Sequence, residues 1–155
     1  MVRTVSILGS TGSIGVNALE VISNLKNSFT VKYLSTNKNV DLLVNQIKKH
    51  RPKAVAVVDE IAAQKIKNTL EAMGIELLSG RFGLLDLSQR NDIDLLLNGL
   101  VGASGMQPTI NAIKAGVNVA LANKESLVMA GNIINKELKN SEAKLLPVDS
   151  EHSAI

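Results

Sequence analysis

The sequence predicts an α/β protein with a doubly wound parallel sheet, and three observations lead to this fold class. Short apolar runs alternate with stretches of helical periodicity along the chain. The apolar runs are continuous, which is typical of strands that a parallel sheet buries on both faces. A glycine-rich turn lies between the first run and the first helical stretch, where such sheets bind nucleotides. The length of 155 residues suits one such domain.

The first half of the chain predicts three strand–helix pairs. Asp59 has the chemistry of an N-terminal cap for the third helix, and Gly74 would end that helix. In chain order, the predicted elements are a strand over Val2–Leu8, a helix over Val16–Leu25, a strand over Phe29–Ser35, a helix over Val40–His50, a strand over Ala54–Val58 and a helix over Glu60–Met73.

The second half continues the alternation. Pro108 suits the first turn of a helix that Gly116 closes, and Asn123 introduces the last helix. The predicted elements are a short strand over Ile75–Leu78, a helix over Phe82–Gln89, a strand over Leu95–Val101, a helix from Pro108 to Ala115, a strand over Val117–Ala122, a helix from Asn123 to Lys139 and a strand over Lys144–Val148.

Composition argues against several classes of protein. Aromatic residues make up 2% of the chain, so the core must be aliphatic and no platform for stacking nucleic-acid bases is expected. The net charge is only +3, and the cluster Lys48–Arg51 ends a predicted helix, where cations complement the dipole. There is no cysteine, no apolar run of about 18 residues, and no room for a signal peptide before the first strand. We therefore expect a cytoplasmic protein that binds neither nucleic acid nor membrane.

The segment Gly9–Gly15 predicts a Rossmann-like dinucleotide site. Gly12 would let the backbone approach a pyrophosphate, and Gly15 would let the following helix pack closely on the strand. The spacing departs from G-x-G-x-x-G, because Ser10 occupies the place of the first glycine and Gly9 lies one step earlier. A glycine-rich turn without a ligand is the alternative interpretation.

The end of the second predicted strand favours NADPH over NADH. The segment Ser35–Asn39 contains no carboxylate, whereas NAD-binding sites use an acidic residue there to bind the ribose hydroxyls. Its hydroxyl, amide and ammonium groups would instead bind a 2′-phosphate. The alternative is that Thr36 and Asn39 only cap the next helix, and the two roles are compatible.

Three polar segments follow later strands and should meet at the same sheet edge: Gly102–Gly105, Asn123–Ser126 and Asp149–His152. Asp149 and Glu151 form an Asp-x-Glu pair that could converge on Mg²⁺ or Mn²⁺, with further ligands supplied by water or substrate. Helix capping is the alternative for both of the last two segments. His152 could also ligate the metal, and a hydrogen bond is the alternative for this residue.

Three blocks of the sequence resemble signature blocks of the 1-deoxy-D-xylulose 5-phosphate reductoisomerase family: Leu8–Gly15, Leu121–Val128 and Leu146–His152. The resemblance extends from the first strand to Ile155. It implies that residues 1–148 form an NADPH-binding Rossmann-like domain and that residues 149–155 begin a catalytic domain whose remainder lies outside this chain.

The resemblance also implies roles for individual residues. Thr11, Gly12, Ser13 and Ile14 would bind the NADPH phosphates, and Asn37, Lys38 and Asn39 would lie around the adenosine ribose and 2′-phosphate, although the family often has glycine in place of Asn37. Asn123 and Glu125 would contact the cofactor, Lys124 and Ser150 the substrate, and Asp149 and Glu151 the metal, with Glu151 also near the substrate. Lys124 and Glu151 are the candidate catalytic residues.

The implied reaction isomerises 1-deoxy-D-xylulose 5-phosphate, a phosphorylated sugar, and reduces the product to 2-C-methyl-D-erythritol 4-phosphate in the non-mevalonate isoprenoid pathway. The family pattern further implies that the full-length enzyme is a homodimer and that this chain alone is inactive. A non-catalytic NADP-sensing module is the alternative, but it gives the Asp-x-Glu pair no role. The chain lacks the cysteine of semialdehyde dehydrogenases and the Tyr-x-x-x-Lys of short-chain dehydrogenases, since Asn37 follows Tyr33 at that spacing.

Overall fold

The structure is a computed structural model that describes residues 1–25 and 27–148. Strands and helices alternate throughout these ranges. They are β1 (Arg3–Leu8), α1 (Ser13–Asn24), β2 (Phe29–Thr36), α2 (Val40–His50), β3 (Ala54–Val57), α3 (Glu60–Ala72), β4 (Glu76–Ser79), α4 (Gly80–Ser88), β5 (Leu95–Asn98), α5 (Met106–Lys114), β6 (Asn118–Leu121), α6 (Lys124–Lys139) and β7 (Leu145–Pro147).

The strands form one parallel sheet, which confirms the predicted fold class. Their order is β4-β3-β2-β1-β5-β6-β7, so the direction of winding reverses between β1 and β5. Ile7 of β1 pairs with Leu34 of β2, and Leu8 pairs with Asn98 of β5. A doubly wound sheet binds ligands outside the carboxyl ends of its strands at this switch point, and the glycine-rich turn follows β1 there.

Two aliphatic layers cover the sheet. Neighbouring residues of β1 point to opposite layers, with Ile7 packed among residues of α1, α2 and α3, and Leu8 packed among residues of α4, α5 and α6. Tyr33 is buried in the second layer, whereas Phe82 is exposed on α4. The predicted aliphatic core is therefore confirmed, and both layers hold the strand ends rigidly beneath the site.

The first layer covers the sheet unevenly. An apolar groove runs between α1 and the near part of the sheet, lined by residues such as Ile22, Leu97 and Val148. Leu146 and Val148, at the end of the sheet, are about half exposed.

Several predicted boundaries shift for identifiable reasons. The helix α2 has the predicted bounds, and Asp59 caps α3 by accepting a hydrogen bond of 2.8 Å from the Ala62 N–H. The strand expected over Leu95–Val101 ends at Asn98, because the Asn98 side chain accepts the Leu100 N–H and turns the chain away from the sheet. The residues that follow include a 3₁₀ turn over Gly102–Gly105. Within the described ranges, no helix has the length and apolarity needed to cross a membrane.

Candidate functional site

The turn after β1 depends on Gly9 and Ser10. Gly9 has a φ of +76°, a conformation that favours glycine, so Gly9 rather than residue 10 makes the sharp turn. Ser10 is buried, and its backbone N–H donates to the Ser35 carbonyl at 2.8 Å, while Gln46 Nε2 donates to the Ser10 carbonyl at 2.7 Å. The serine in the place of the first motif glycine therefore joins the turn to β2 and α2.

Gly12 and Gly15 have different reasons to be glycine. A Cβ at Gly15 would lie 2.5 Å from the Ser10 Cα and 2.8 Å from the Ser10 carbonyl carbon, so the helix could not pack on the turn. Gly12 has an extended backbone, and a Cβ there would meet only the Gly9 carbonyl oxygen, at an ordinary 3.5 Å. The protein itself thus requires glycine at position 15 but not at position 12, where the open side faces the cleft.

The N-terminus of α1 is suited to bind an anion. No side chain of residues 1–25 and 27–148 caps this helix, and its first turn contains no acidic residue. Its first backbone N–H groups therefore present the positive end of the helix dipole to the cleft. The hydroxyls of Thr11 and Thr36 lie 2.6 Å apart and hold the turn against the end of β2.

The polar residues after β2 are exposed at the same edge. Asn39 caps α2, since its side-chain oxygen accepts the Leu42 N–H at 3.2 Å, so the capping interpretation is correct for this residue. Asn37 lines the cleft, and its backbone carbonyl accepts the Asp59 N–H at 2.9 Å. Lys38 is exposed and has no carboxylate within ion-pair distance in the described part of the chain. The first acid after β2 is Asp41, in the first turn of α2, as expected.

Two buried asparagines hold the segment after β5, and one of them, Asn98, was not predicted. Asn98 Nδ2 donates to the Gly105 carbonyl and to the Thr109 hydroxyl, both at 2.8 Å. Asn123 Nδ2 donates to the carbonyls of Leu100 and Gly102, both at 2.7 Å, and its oxygen accepts the Ser126 N–H at 3.0 Å. A polar residue that interrupts the apolar β5 run was the available signal for Asn98.

These elements enclose a cleft of about 410 Å³ at the carboxyl ends of the strands. The glycine turn forms one wall, and the start of α4 and the segment after β5 form the others. The lining residues are Gly9, Thr11, Gly12, Asn37, Val58, Arg81, Leu84, Gly99, Leu100, Val101 and Ser104. This lining combines apolar side chains with a few polar groups, as small-molecule sites generally do. Arg81 was not predicted, although it follows the fourth strand at the same sheet edge.

The sequence model of the family described as 1-deoxy-D-xylulose 5-phosphate reductoisomerase matches residues 5–131 of this chain. The chain belongs to that family. The reductoisomerase of Chloroherpeton thalassium is 47% identical over 153 residues, which cover 99% of this chain and 40% of the relative. The chain therefore spans about 40% of the length of such relatives.

Solved reductoisomerase structures have the same fold. The enzyme of Zymomonas mobilis, in complex with NADPH, matches with a TM-score of 0.92 and 35% identity over 100% of this chain and 41% of that one. A second structure, in complex with NADPH, fosmidomycin and magnesium, matches with a TM-score of 0.90 and 34% identity over 99% of this chain and 38% of that one.

The structure locates only some of the residues that the reductoisomerase resemblance assigns. Lys124 and Glu125 are exposed in the first turn of α6, which follows β6 at the edge where the glycine turn lies. Asp149, Ser150, Glu151 and His152 lie outside the described residues. Within residues 1–25 and 27–148, no three His, Cys, Asp or Glu side chains are grouped to bind a metal ion.

Proposed function

We propose that this chain is the NADPH-binding part of a reductoisomerase. The complete protein would convert 1-deoxy-D-xylulose 5-phosphate into 2-C-methyl-D-erythritol 4-phosphate by isomerisation and reduction. Membership of the family supports the reaction class. Cofactor binding is supported by the free space at Gly12. Neither φ nor a protein contact requires glycine there, and the space opens into the cleft beside the α1 N-terminus.

The proposed cofactor is NADPH rather than NADH. The α1 N–H groups, with Thr11, Ser13 and Ile14 around them, would hold the pyrophosphate. Lys38 is an exposed cation just after β2 with no carboxylate within ion-pair distance among residues 1–25 and 27–148, and a 2′-phosphate would lie there beside Asn37 and Asn39. A carboxylate at this place would repel that phosphate, and the segment after β2 has none before Asp41.

Asn123 would act by positioning. Its three hydrogen bonds fix the Leu100–Gly102 backbone beside α6, so the wall facing the nicotinamide end keeps its shape. Both side-chain N–H donors and one of the two lone pairs of its oxygen are engaged, so a cofactor contact through the Asn123 side chain would use the remaining lone pair.

The chemistry at the sugar would depend on residues 124–125 and 149–151. When bound, NADPH supplies a hydride, and Mg²⁺ or Mn²⁺ supplies Lewis acidity. Lys124 would place positive charge where the substrate develops oxyanion character, and Glu125 would face the cofactor from the same turn. Asp149 and Glu151 would provide the hard oxygen ligands that these cations prefer, with Ser150 and Glu151 contacting the substrate.

We place the boundary between the two domains at the end of the sheet. Residues 1–148 would form the cofactor domain, because the Val148 N–H still donates to the Leu121 carbonyl at 3.0 Å, and residues 149–155 would begin the catalytic domain. We also propose that the complete enzyme is a cytoplasmic homodimer, which fractionation of the source cells and sedimentation velocity of the complete protein would test.

Fluorescence titration of the 155-residue chain with NADPH and NADH tests the cofactor proposal. We expect the unaltered chain to bind NADPH more tightly than NADH. In Lys38→Glu the ratio of the two affinities should be smaller, because the new carboxylate repels the 2′-phosphate of NADPH. Lys67→Glu, which makes the same charge change at an exposed position of α3, is the control and should keep the preference. Equal affinities of the unaltered chain for both cofactors would refute the assignment.

An assay of NADPH oxidation with 1-deoxy-D-xylulose 5-phosphate and Mn²⁺ tests whether this chain binds the cofactor but lacks the residues needed for catalysis. The 155-residue chain should bind NADPH without turnover. Catalysis requires a closed site that excludes water from the reacting centre, and Asp149 and Glu151 alone cannot close the site. Steady-state reduction by the purified chain would show that the catalytic machinery lies within these residues.

A further inference from the structure

Arg81 connects two walls of the cleft. It lies in the first turn of α4, directly after β4, and its Nη1 donates a hydrogen bond of 2.9 Å to the carbonyl oxygen of Ser104 in the 3₁₀ turn. The side chain is partly buried and lines the cleft together with Thr11 and Gly12 of the glycine turn. A guanidinium group and the N-terminus of α1 therefore face the same space.

The positive charge of Arg81 has no carboxylate partner in the described part of the chain. No carboxylate there lies within ion-pair distance of it, and the cleft lining contains no acidic residue. A cation in the first turn of a helix is also unfavourable for the helix dipole. Neither ion pairing nor helix stability thus accounts for an arginine at this position.

The hydrogen bond to Ser104 leaves most of the guanidinium free. A guanidinium has five N–H donors in a rigid planar fork, which matches two oxygens of a phosphate. The donor on the Ser104 carbonyl anchors one edge of the guanidinium, and the remaining donors can bind an anion in the cleft.

We propose that Arg81 binds the pyrophosphate of the dinucleotide from the wall opposite the glycine turn. This inference rests on the proposed function and adds to it a second anion-binding element. The pyrophosphate, rather than the 2′-phosphate, is assigned because Thr11 and Gly12, which would receive it, both line this cleft, whereas of the residues proposed around the 2′-phosphate only Asn37 lines it and the cation Lys38 does not.

The test compares Arg81→Gln with the unaltered chain in titrations with NADPH and with NADH. Loss of charge-assisted hydrogen bonds should weaken the binding of both nucleotides by about tenfold, with their ratio unchanged. Arg81→Lys keeps the charge but loses the fork, so an intermediate loss is expected. Arg3→Gln is the matched control, because Arg3 is exposed at the amino end of β1, at the opposite edge of the sheet, and should have no effect.

The outcomes separate this inference from the proposed function. Thermal unfolding of each variant identifies any affinity loss that comes from unfolding, and Arg81→Lys carries the comparison if Arg81→Gln does not fold. Unchanged affinity for both nucleotides in the folded variants would overturn the inference and leave the proposed function intact. A loss confined to NADPH would move Arg81 to the 2′-phosphate and overturn the pyrophosphate assignment. No nucleotide binding by the unaltered chain would overturn the proposed function and this inference together.

Discussion

Replacing each of two neighbouring glycines by alanine should separate cofactor binding from folding. Gly12→Ala places a methyl group in the open side of the turn, whereas Gly15→Ala places one between the turn and α1. The two variants make the same chemical change three residues apart. Only their surroundings differ, so each serves as the control for the other.

Gly12→Ala should leave the fold intact. Its φ of −78° and ψ of 171° are allowed for alanine, and the nearest contact of the new Cβ would be 3.5 Å. Reduced freedom of the unfolded chain should change the unfolding free energy by about 0–1 kcal/mol in the stabilising direction. The methyl group would hold a phosphate away from the α1 N–H groups, and loss of one charge-assisted hydrogen bond corresponds to about tenfold weaker NADPH binding or more.

Gly15→Ala should destabilise the fold. The new Cβ would lie 2.5 Å from the Ser10 Cα, about 1 Å inside ordinary carbon–carbon contact, and backbone atoms cannot rotate away. Overpacking of this kind costs about 1–3 kcal/mol, which at this size lowers the melting temperature by roughly 2–12 °C.

Urea unfolding followed by circular dichroism and NADPH fluorescence titration measure the two quantities on the same samples. If Gly12→Ala binds NADPH as tightly as the unaltered chain, the free space at Gly12 does not receive a phosphate. If Gly15→Ala is as stable as Gly12→Ala, the close packing of α1 on the turn does not explain the glycine.

Three further predictions concern the rest of the site and the fold. Asn123→Ala should lower the unfolding free energy by about 2–4 kcal/mol, since it removes the α6 cap and leaves two carbonyls without a donor; a loss below about 1 kcal/mol in urea unfolding would contradict this. The Arg90 guanidinium lowers the pKa of Glu76 below its ordinary 4.5, so Glu76→Gln should cost less than about 1 kcal/mol at neutral pH, and the difference should disappear as pH falls from 4.5 through the lowered pKa. If the unfolding free energies of the unaltered chain and Glu76→Gln still differ below the lowered pKa, the Glu76–Arg90 ion pair is not the cause of the difference. In the complete protein, Asp149→Asn and Glu151→Gln should each weaken Mn²⁺ binding and turnover while NADPH affinity stays unchanged; full activity at limiting Mn²⁺ would show that the altered residue is not a ligand.

The sequence by itself determined the order of elements and the place of the site. Short continuous apolar runs between turn residues are typical of strands buried on both faces, and caps such as Asp59 act within a few residues of their own position. The glycine turn and the absence of an acid after β2 are equally local, so the edge that we propose for the nucleotide could be predicted from the pattern alone. Membership of the reductoisomerase family was predictable for the same reason, because the resemblance rests on contiguous blocks of sequence.

Tertiary structure decided how the site is held and which further residues reach it. Ser10 replaces the first glycine because Gly9 makes the turn and Gln46, 36 residues away, binds the serine. Arg81 enters the cleft because β4 and β5 end at the same edge, which places the start of α4 near Ser104, 23 residues further along the chain. Asn123 holds the Leu100 carbonyl across 23 residues. No local pattern encodes such contacts, since each joins residues far apart in the sequence that approach only when the sheet and its helices have assembled.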